Sequence, residues 1–353
     1  MHIKPHRVDP GILSALAAAV LFGASTPFAK LLLGQVSAVV LAGLLYLGSG
    51  AGLALWWLLQ RAFGTETAAI ERQDIPWLAG AVLCGGVLGP ILLMLGLERT
   101  PASSASLLLN LENVLTALLA WFAFHEHYDR RIVLGMVLIA LAGVLLAWQG
   151  HAGLASALGP LAIVGACLCW AVDNNLTRRV SAGDPVLIAA VKGLAAGVVN
   201  AGIAMLVGER FPPLVTAAAA GLVGLAGYGV SLVLFVLALR HIGASRTGAY
   251  FSLAPFVGAV IALAWLHEGT GAAFWAAAVL MAAGLWLHLA ERHTHAHSHE
   301  ALAHTHRHVH DEHHRHAHDF PWGGREPHVH RHIHEPLVHS HPHYPDIHHR
   351  HGH

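Results

Sequence analysis

The chain has 353 residues, of which 55% are hydrophobic and 11% charged, with 20 basic and 20 acidic side chains and a mean hydropathy of +0.56. A soluble globule carries about a quarter charged residues, so this composition excludes that class and indicates an integral membrane protein. The formal net charge of zero gives no ground for a nucleic-acid partner.

The average hides a division. Residues 1–10 form a short polar start with Lys4 and Arg7, residues 11–290 are strongly apolar, and residues 291–353 hold 23 of the 31 histidines. No small-residue cleavage site follows the first apolar run, so a retained span is expected rather than a signal peptide. Cys84, Cys167 and Cys169 lie inside apolar runs and form neither a disulfide pattern nor a metal-site spacing.

Apolar runs long enough to cross a bilayer as helices fall at 12–33, 37–59, 76–96, 102–124 and 131–149. A second set falls at 158–178, 185–207, 213–238, 246–266 and 271–290. The expected fold is therefore all-α: ten transmembrane helices with the lipid bilayer as solvent, five in residues 11–150 and five in 151–290. The runs are continuously apolar and do not alternate, which excludes a β-barrel. Gly48/Gly52, Gly85/Gly89 and Gly193/Gly197 have the spacing that lets helices approach closely.

The two sets repeat one another. Residues 97–126, ending Trp-Phe-Ala-Phe-His-Glu, align without a gap on residues 239–268, ending Leu-Ala-Trp-Leu-His-Glu, and agree at eight of thirty positions. Ala102/Ala244, Ser103/Ser245 and the closing pairs His125-Glu126 and His267-Glu268 are among the matches. Arginine is concentrated in alternate loops (Arg61, Arg72, Arg130, Arg131, Arg178, Arg179, Arg240, Arg246, Arg292), which predicts that this side and both termini are cytoplasmic. Five spans is an odd number, so the second half is expected to be inverted, the architecture that supports alternating access.

Ten short-looped helices in two halves, the run Leu-Phe-Gly-Ala-Ser-Thr-Pro-Phe-Ala-Lys at 21–30 and its partner Cys-Trp-Ala-Val-Asp-Asn-Asn-Leu-Thr-Arg-Arg at 169–179 resemble the drug/metabolite transporter superfamily. The two copies ending in His-Glu narrow the resemblance to its EamA-type exporters. It covers about residues 11–290 and implies a secondary carrier in the cell (inner) membrane, with a small molecule such as an amino acid as substrate. A homodimer is left open. The histidine-rich tail departs from that family's usual pattern.

Charges inside a bilayer are costly and need an explanation. Lys192 falls near mid-depth in the seventh run, Glu112 halfway along the fourth between Asn110 and Asn113, and Asp173, Asn174 and Asn175 in the second half of the sixth. They are the candidate substrate site or proton site, with Lys192 neutralising Glu112 or Asp173; a structural ion pair is the alternative. Pro27 and Pro255 are candidate hinges, since each removes a helix hydrogen bond. Glu126 and Glu268, at span ends, are candidate gate residues expected to close a gate by pairing with an arginine; plain helix-end residues are the alternative.

In the tail, histidines alternate with other residues: His293, His295, His297 and His299; His304, His306, His308 and His310; His314, His316 and His318; His328, His330, His332 and His334; His339, His341 and His343. In an extended chain each His-X-His places two imidazoles about 7 Å apart on one side. Imidazole suits Zn, Ni, Co and Cu(II), so the tail, expected to be disordered, is expected to bind transition-metal ions. A pH-responsive or solubilising tail is the alternative. No phosphate-loop motif, nucleophile–base pair or HExxH occurs, so no ATP motor, required cofactor or catalytic residue is expected. The leading function is export of a small metabolite with metal regulating through the tail; the alternative is a divalent-metal carrier with the tail as antechamber.

Overall fold

A computed structural model describes residues 9–63, 70–124, 130–147, 154–180 and 184–289, with four tail segments at 294–298, 302–308, 328–334 and 338–342. In the first half, α1 (Pro10–Leu33) and α2 (Ala38–Ala62) are continuous spans. The third span joins α3 (Ile75–Ala81), a π-helical segment over Val82–Leu88 and α4 (Gly89–Arg99). The fourth is α5 (Ala102–Leu108) and α6 (Leu111–Phe124), and the fifth is α7 (Arg130–Ala147). The second half has α8 (Leu154–Val180), α9 (Pro185–Leu206), α10 (Leu214–Gly224), a π-helical segment over Leu225–Val230, α11 (Ser231–Phe251), α12 (Ala254–Leu266) and α13 (Ala272–Leu289). Among the described residues nine helical segments are long and apolar enough to cross a membrane, and Ala272–Leu287 is a shorter tenth. The all-α ten-span expectation holds.

Local chemistry sets the helix starts. Asp9 accepts the Gly11 amide at 2.8 Å ahead of Pro10, and Asp184 accepts those of Val186 and Leu187 ahead of Pro185. In both, an acidic N-cap precedes a proline whose missing N–H costs nothing at that position. Small residues then set the packing. A β-carbon on Gly193 would sit 2.8 Å from the Gly50 Cα, so α2 and α9 meet backbone to backbone.

The departures from straight helices are themselves repeated. The π-helical segments occupy equivalent places in the third and eighth spans, and the fourth and ninth spans are each interrupted near mid-depth, at Leu109-Asn110 and Ser252-Leu253. One difference separates the halves. Thr100 is extended before Pro101, which forces a clean break between α4 and α5. The equivalent stretch of the second half has no proline, and helical hydrogen bonding continues through α11 although the chain reverses there: Phe235 and Phe251, both in α11, have ring centroids 4.9 Å apart. Pro27 does not interrupt α1, whereas Pro255 falls in the first turn of α12, where a proline is tolerated.

The tail, expected to be disordered, contains four strands. β1 (Thr294–Ser298) pairs antiparallel with β4 (Val338–Pro342), and β2 (Leu302–His308) with β3 (His328–His334). The registers set His295 opposite His341, His297 opposite His339, His304 opposite His332, His306 opposite His330 and His308 opposite His328.

Inversion of the halves is checked by topology reporters. Fusions after residues 35, 152 and 269 should report one compartment and those after 66, 182 and 300 the other. Equivalent positions of the two halves reporting the same compartment would contradict the inversion.

Candidate functional site

A cavity of about 440 Å³ lies between the halves, from mid-depth toward the end that carries the arginine-rich loops. α2 contributes Tyr46, Ser49 and Leu53, α8 contributes Asp173, Asn174 and Thr177, and α9 contributes Pro185, Ile188, Ala189 and Lys192. Phe22, Tyr228, Ser231, Phe235 and Phe251 complete it.

Its charges are paired. Lys192 Nζ stands 2.5 Å from Asp173 Oδ1 and 3.0 Å from Thr177 Oγ1, and the Thr177 hydroxyl donates to the same Asp173 oxygen at 2.8 Å. Asp173, not Glu112, is therefore the partner of Lys192. The carboxylate is held from behind by Gly85: any β-carbon there would collide with it.

The π-helical segment makes that approach tenable. In a bilayer every freed backbone carbonyl needs an internal donor. Gly85 C=O accepts from Tyr46 Oη at 2.8 Å and Trp170 Nε1 at 2.9 Å, and Gly86 C=O accepts from Asn200 Nδ2 at 3.0 Å. Tyr46, Tyr228, Phe22, Phe251 and Phe235 then follow one another as ring neighbours with centroids 4.9–6.0 Å apart. These aromatic residues were not singled out by sequence reasoning; their only signal is that they lie inside spans, away from the interfacial belts.

The remaining polar candidates separate. Glu112 does not line the cavity; it accepts from Asn174 Nδ2 at 2.9 Å on the α6 side of α8. Asn174 therefore touches both. Asn175 is occupied with backbone, donating to Ala171 C=O at 2.8 Å. Asn110 is buried at the helix break, donating to Leu107 C=O at 3.0 Å, and Asn113 is exposed on the outer face of α6. Neither belongs to the site.

Glu268 sits at the opposite end of the molecule. His267, with φ of 52°, ends α12 in the left-handed conformation, and Glu268 follows. Its carboxylate accepts the Ala102 and Ser103 amides at 2.6 and 2.8 Å, capping α5 of the other half. Beside it Lys30, from the end of α1, donates to the carbonyls of Leu97, Glu98 and Thr100 around the end of α4. Glu268 was expected to pair with an arginine; it binds backbone instead. Glu126 lies outside the described residues, as do His293, His299, His310, His314, His316, His318 and His343.

A family profile described as the EamA-like transporter family matches residues 9–148 and again 157–290. An uncharacterized transporter of Methanothermobacter thermautotrophicus is 30% identical over 276 residues, 73% of this chain and 80% of that protein. The uncharacterized transporter YyaM of Bacillus subtilis is 24% identical over 211 residues, 56% of this chain and 69% of that one. The probable 4-amino-4-deoxy-L-arabinose-phosphoundecaprenol flippase subunit ArnE of Pseudomonas fluorescens is 36% identical over 83 residues, 24% of this chain and 71% of its own. A solved crystal structure shares the fold at a TM-score of 0.59 and 19% identity, covering 79% of this chain and 96% of that chain.

The ion pair gives a stability test. Removing one partner of a buried pair typically costs about 3–5 kcal/mol, whereas replacing both costs far less. K192M and D173N should each lower the thermal midpoint in detergent, and K192M/D173N should recover most of the loss. A double variant as unstable as the two losses summed would show that the pair is not the reason.

Proposed function

The chain belongs to the EamA-like transporter family, and from that premise we propose that it is a secondary carrier exporting a small zwitterionic metabolite, such as an amino acid, by alternating access. The observation that carries this is the Lys192–Asp173 pair, the only charged groups on the wall of a cavity that is otherwise neutral and rich in aromatic rings among the described residues. A zwitterion can exchange with such a pair, carboxylate to Lys192 and ammonium to Asp173, without leaving a buried charge unpaired. The Phe22, Tyr228, Phe235 and Phe251 rings would receive its apolar body.

The access cycle follows from the repeat. The cavity faces the arginine-rich end, taken as cytoplasmic by charge bias, while Glu268 and Lys30 hold the other end shut. In the alignment Glu126 is the counterpart of Glu268, and Ala244-Ser245 of Ala102-Ser103. In the outward-facing state Glu126 would latch onto that second pair of amides, and the Glu268 latch would open. The localisation is then the cell membrane, with both termini inside.

The tail is a second, separable part of the proposal: it binds divalent transition metals such as Zn, Ni, Co or Cu(II) and regulates the carrier. Support comes from the alternating histidines and from the ladder registers that set histidine opposite histidine. Directly opposed residues of an antiparallel pair have β-carbons about 4.5–5.5 Å apart, a spacing two imidazoles can share across one ion.

In proteoliposomes screened with labelled amino acids and with Ni²⁺, Co²⁺ and Zn²⁺, wild type should move an amino acid and K192M should not, although it inserts and accumulates. Truncation after Ala290 should leave amino-acid flux and abolish metal binding to the purified chain. Amino-acid flux unaltered in K192M would remove this site. Metal flux that requires both Lys192 and the tail would make the metal itself the substrate.

A further inference from the structure

Glu112 is left over from the site just described. It is in the first turn of α6, immediately after the Leu109-Asn110 break, and its carboxylate is half-buried between α6 and α8. Lys192, the cation nearest in kind, is committed to Asp173. Among the described side chains, the titratable groups that face Glu112 are Asp173 and Cys167 on α8 and Tyr46 on α2, none of them a cation; α8 also carries Arg178 and Arg179, whose side chains lie outside the described residues. α7, also packed on α6, carries its only charges, Arg130 and Arg131, at its first two positions. The partner that the geometry gives Glu112 is the neutral amide of Asn174, at 2.9 Å, with Thr116 Oγ1 3.4 Å from the same nitrogen.

Asn174 is also part of the cavity wall. A membrane carboxylate whose described partner is a neutral amide can avoid the cost of its charge by taking up a proton. When ionised, Glu112 engages the Asn174 N–H; when protonated, it needs an acceptor, and the amide can turn to offer its oxygen. The protonation state of Glu112 thereby sets which end of the Asn174 amide is free to meet a substrate. The aligned position in the second half, Ala254, has no carboxylate, so this feature is asymmetric where the helix breaks are not.

We propose that Glu112 is the proton-binding site that couples this carrier to a proton gradient, and that Asn174 transmits its protonation state to the cavity. The step balances as exchange: one proton enters on Glu112 as the metabolite leaves, and it is released on the other side before the next cycle. The proposal rests on the carrier function above, so its test has one arm that needs transport and one that does not.

In the first arm, proteoliposomes are loaded with a mixture of labelled amino acids. One proton per substrate makes a gradient of about one pH unit worth about a tenfold driving ratio. Wild-type efflux should rise when the outside is acidified. E112Q should lose that response but keep exchange of label for unlabelled amino acid, whereas K192M should lose both. E112Q following the gradient as wild type does, or losing exchange as well while folded, would overturn the proposal. In the second arm, the purified full chain is titrated by infrared spectroscopy between about pH 5 and about 9. A carboxyl C=O band should titrate in wild type, shift in N174L and vanish in E112Q, with the E209Q control unchanged. A band that persists in E112Q, or no titrating band in wild type, would overturn it even if no amino acid moves in the first arm.

Discussion

The carboxylate of Glu268 on the amides of Ala102 and Ser103 is the contact on which the closed end of the molecule depends. A helix that stops and restarts in or beside hydrocarbon leaves N–H and C=O groups that lipid cannot satisfy. Here the restart at α5 is capped by an anion from the other half, and the stop at α4 by the ammonium of Lys30. Both bonds are charge-assisted, worth about 1.5–3 kcal/mol each by general experience. Both join the third-to-fourth span turn to elements that must part for that end to open. Opening therefore requires water to take over those groups, which ties movement of the halves to wetting of that end.

The same constraint explains the middle of the molecule. The π-helical segment over Val82–Leu88 frees carbonyls, and Tyr46, Trp170 and Asn200 satisfy them. Two of those donors come from spans two and six, which wall the cavity, so satisfying the backbone also fixes the position of the aromatic floor. Gly85 lets the Asp173 carboxylate lie against this segment, and Asp173 in turn orients Lys192. The paired charges of the cavity and the freed backbone carbonyls are thus held in one connected set of bonds.

The ten spans and their division into two halves were legible in the sequence because they rest on composition and on the repeat, whereas the acidic caps at Asp9 and Asp184 came only with the structure. The Lys192–Asp173 contact was legible only as one of two options, since spacing along two spans does not fix the rotation of one helix against another. That rotation sends Glu112 to the far side of α8 and turns Asn113 outward. Glu268 was a candidate gate residue from its place at a span end, but its backbone partners were not foreseen. A carboxylate at a span end suggests an arginine, and nothing in a sequence marks which backbone amides a tertiary break will leave open. The π-helical segments were invisible for a similar reason: Gly85 and Gly89 read as a packing pair, and nothing in the sequence marks the carbonyls of Gly85 and Gly86 that side chains take up.

The account is tested most directly by sided labelling of one cavity residue. In a chain with Cys84, Cys167 and Cys169 replaced, Ser49→Cys places a thiol on the cavity wall near mid-membrane. A membrane-impermeant maleimide should reach it faster from the side of the arginine-rich loops than from the other. Adding E268A and K30M should open the second route. Equal labelling rates from the two sides with both caps intact, or unchanged rates once both caps are removed, would contradict it.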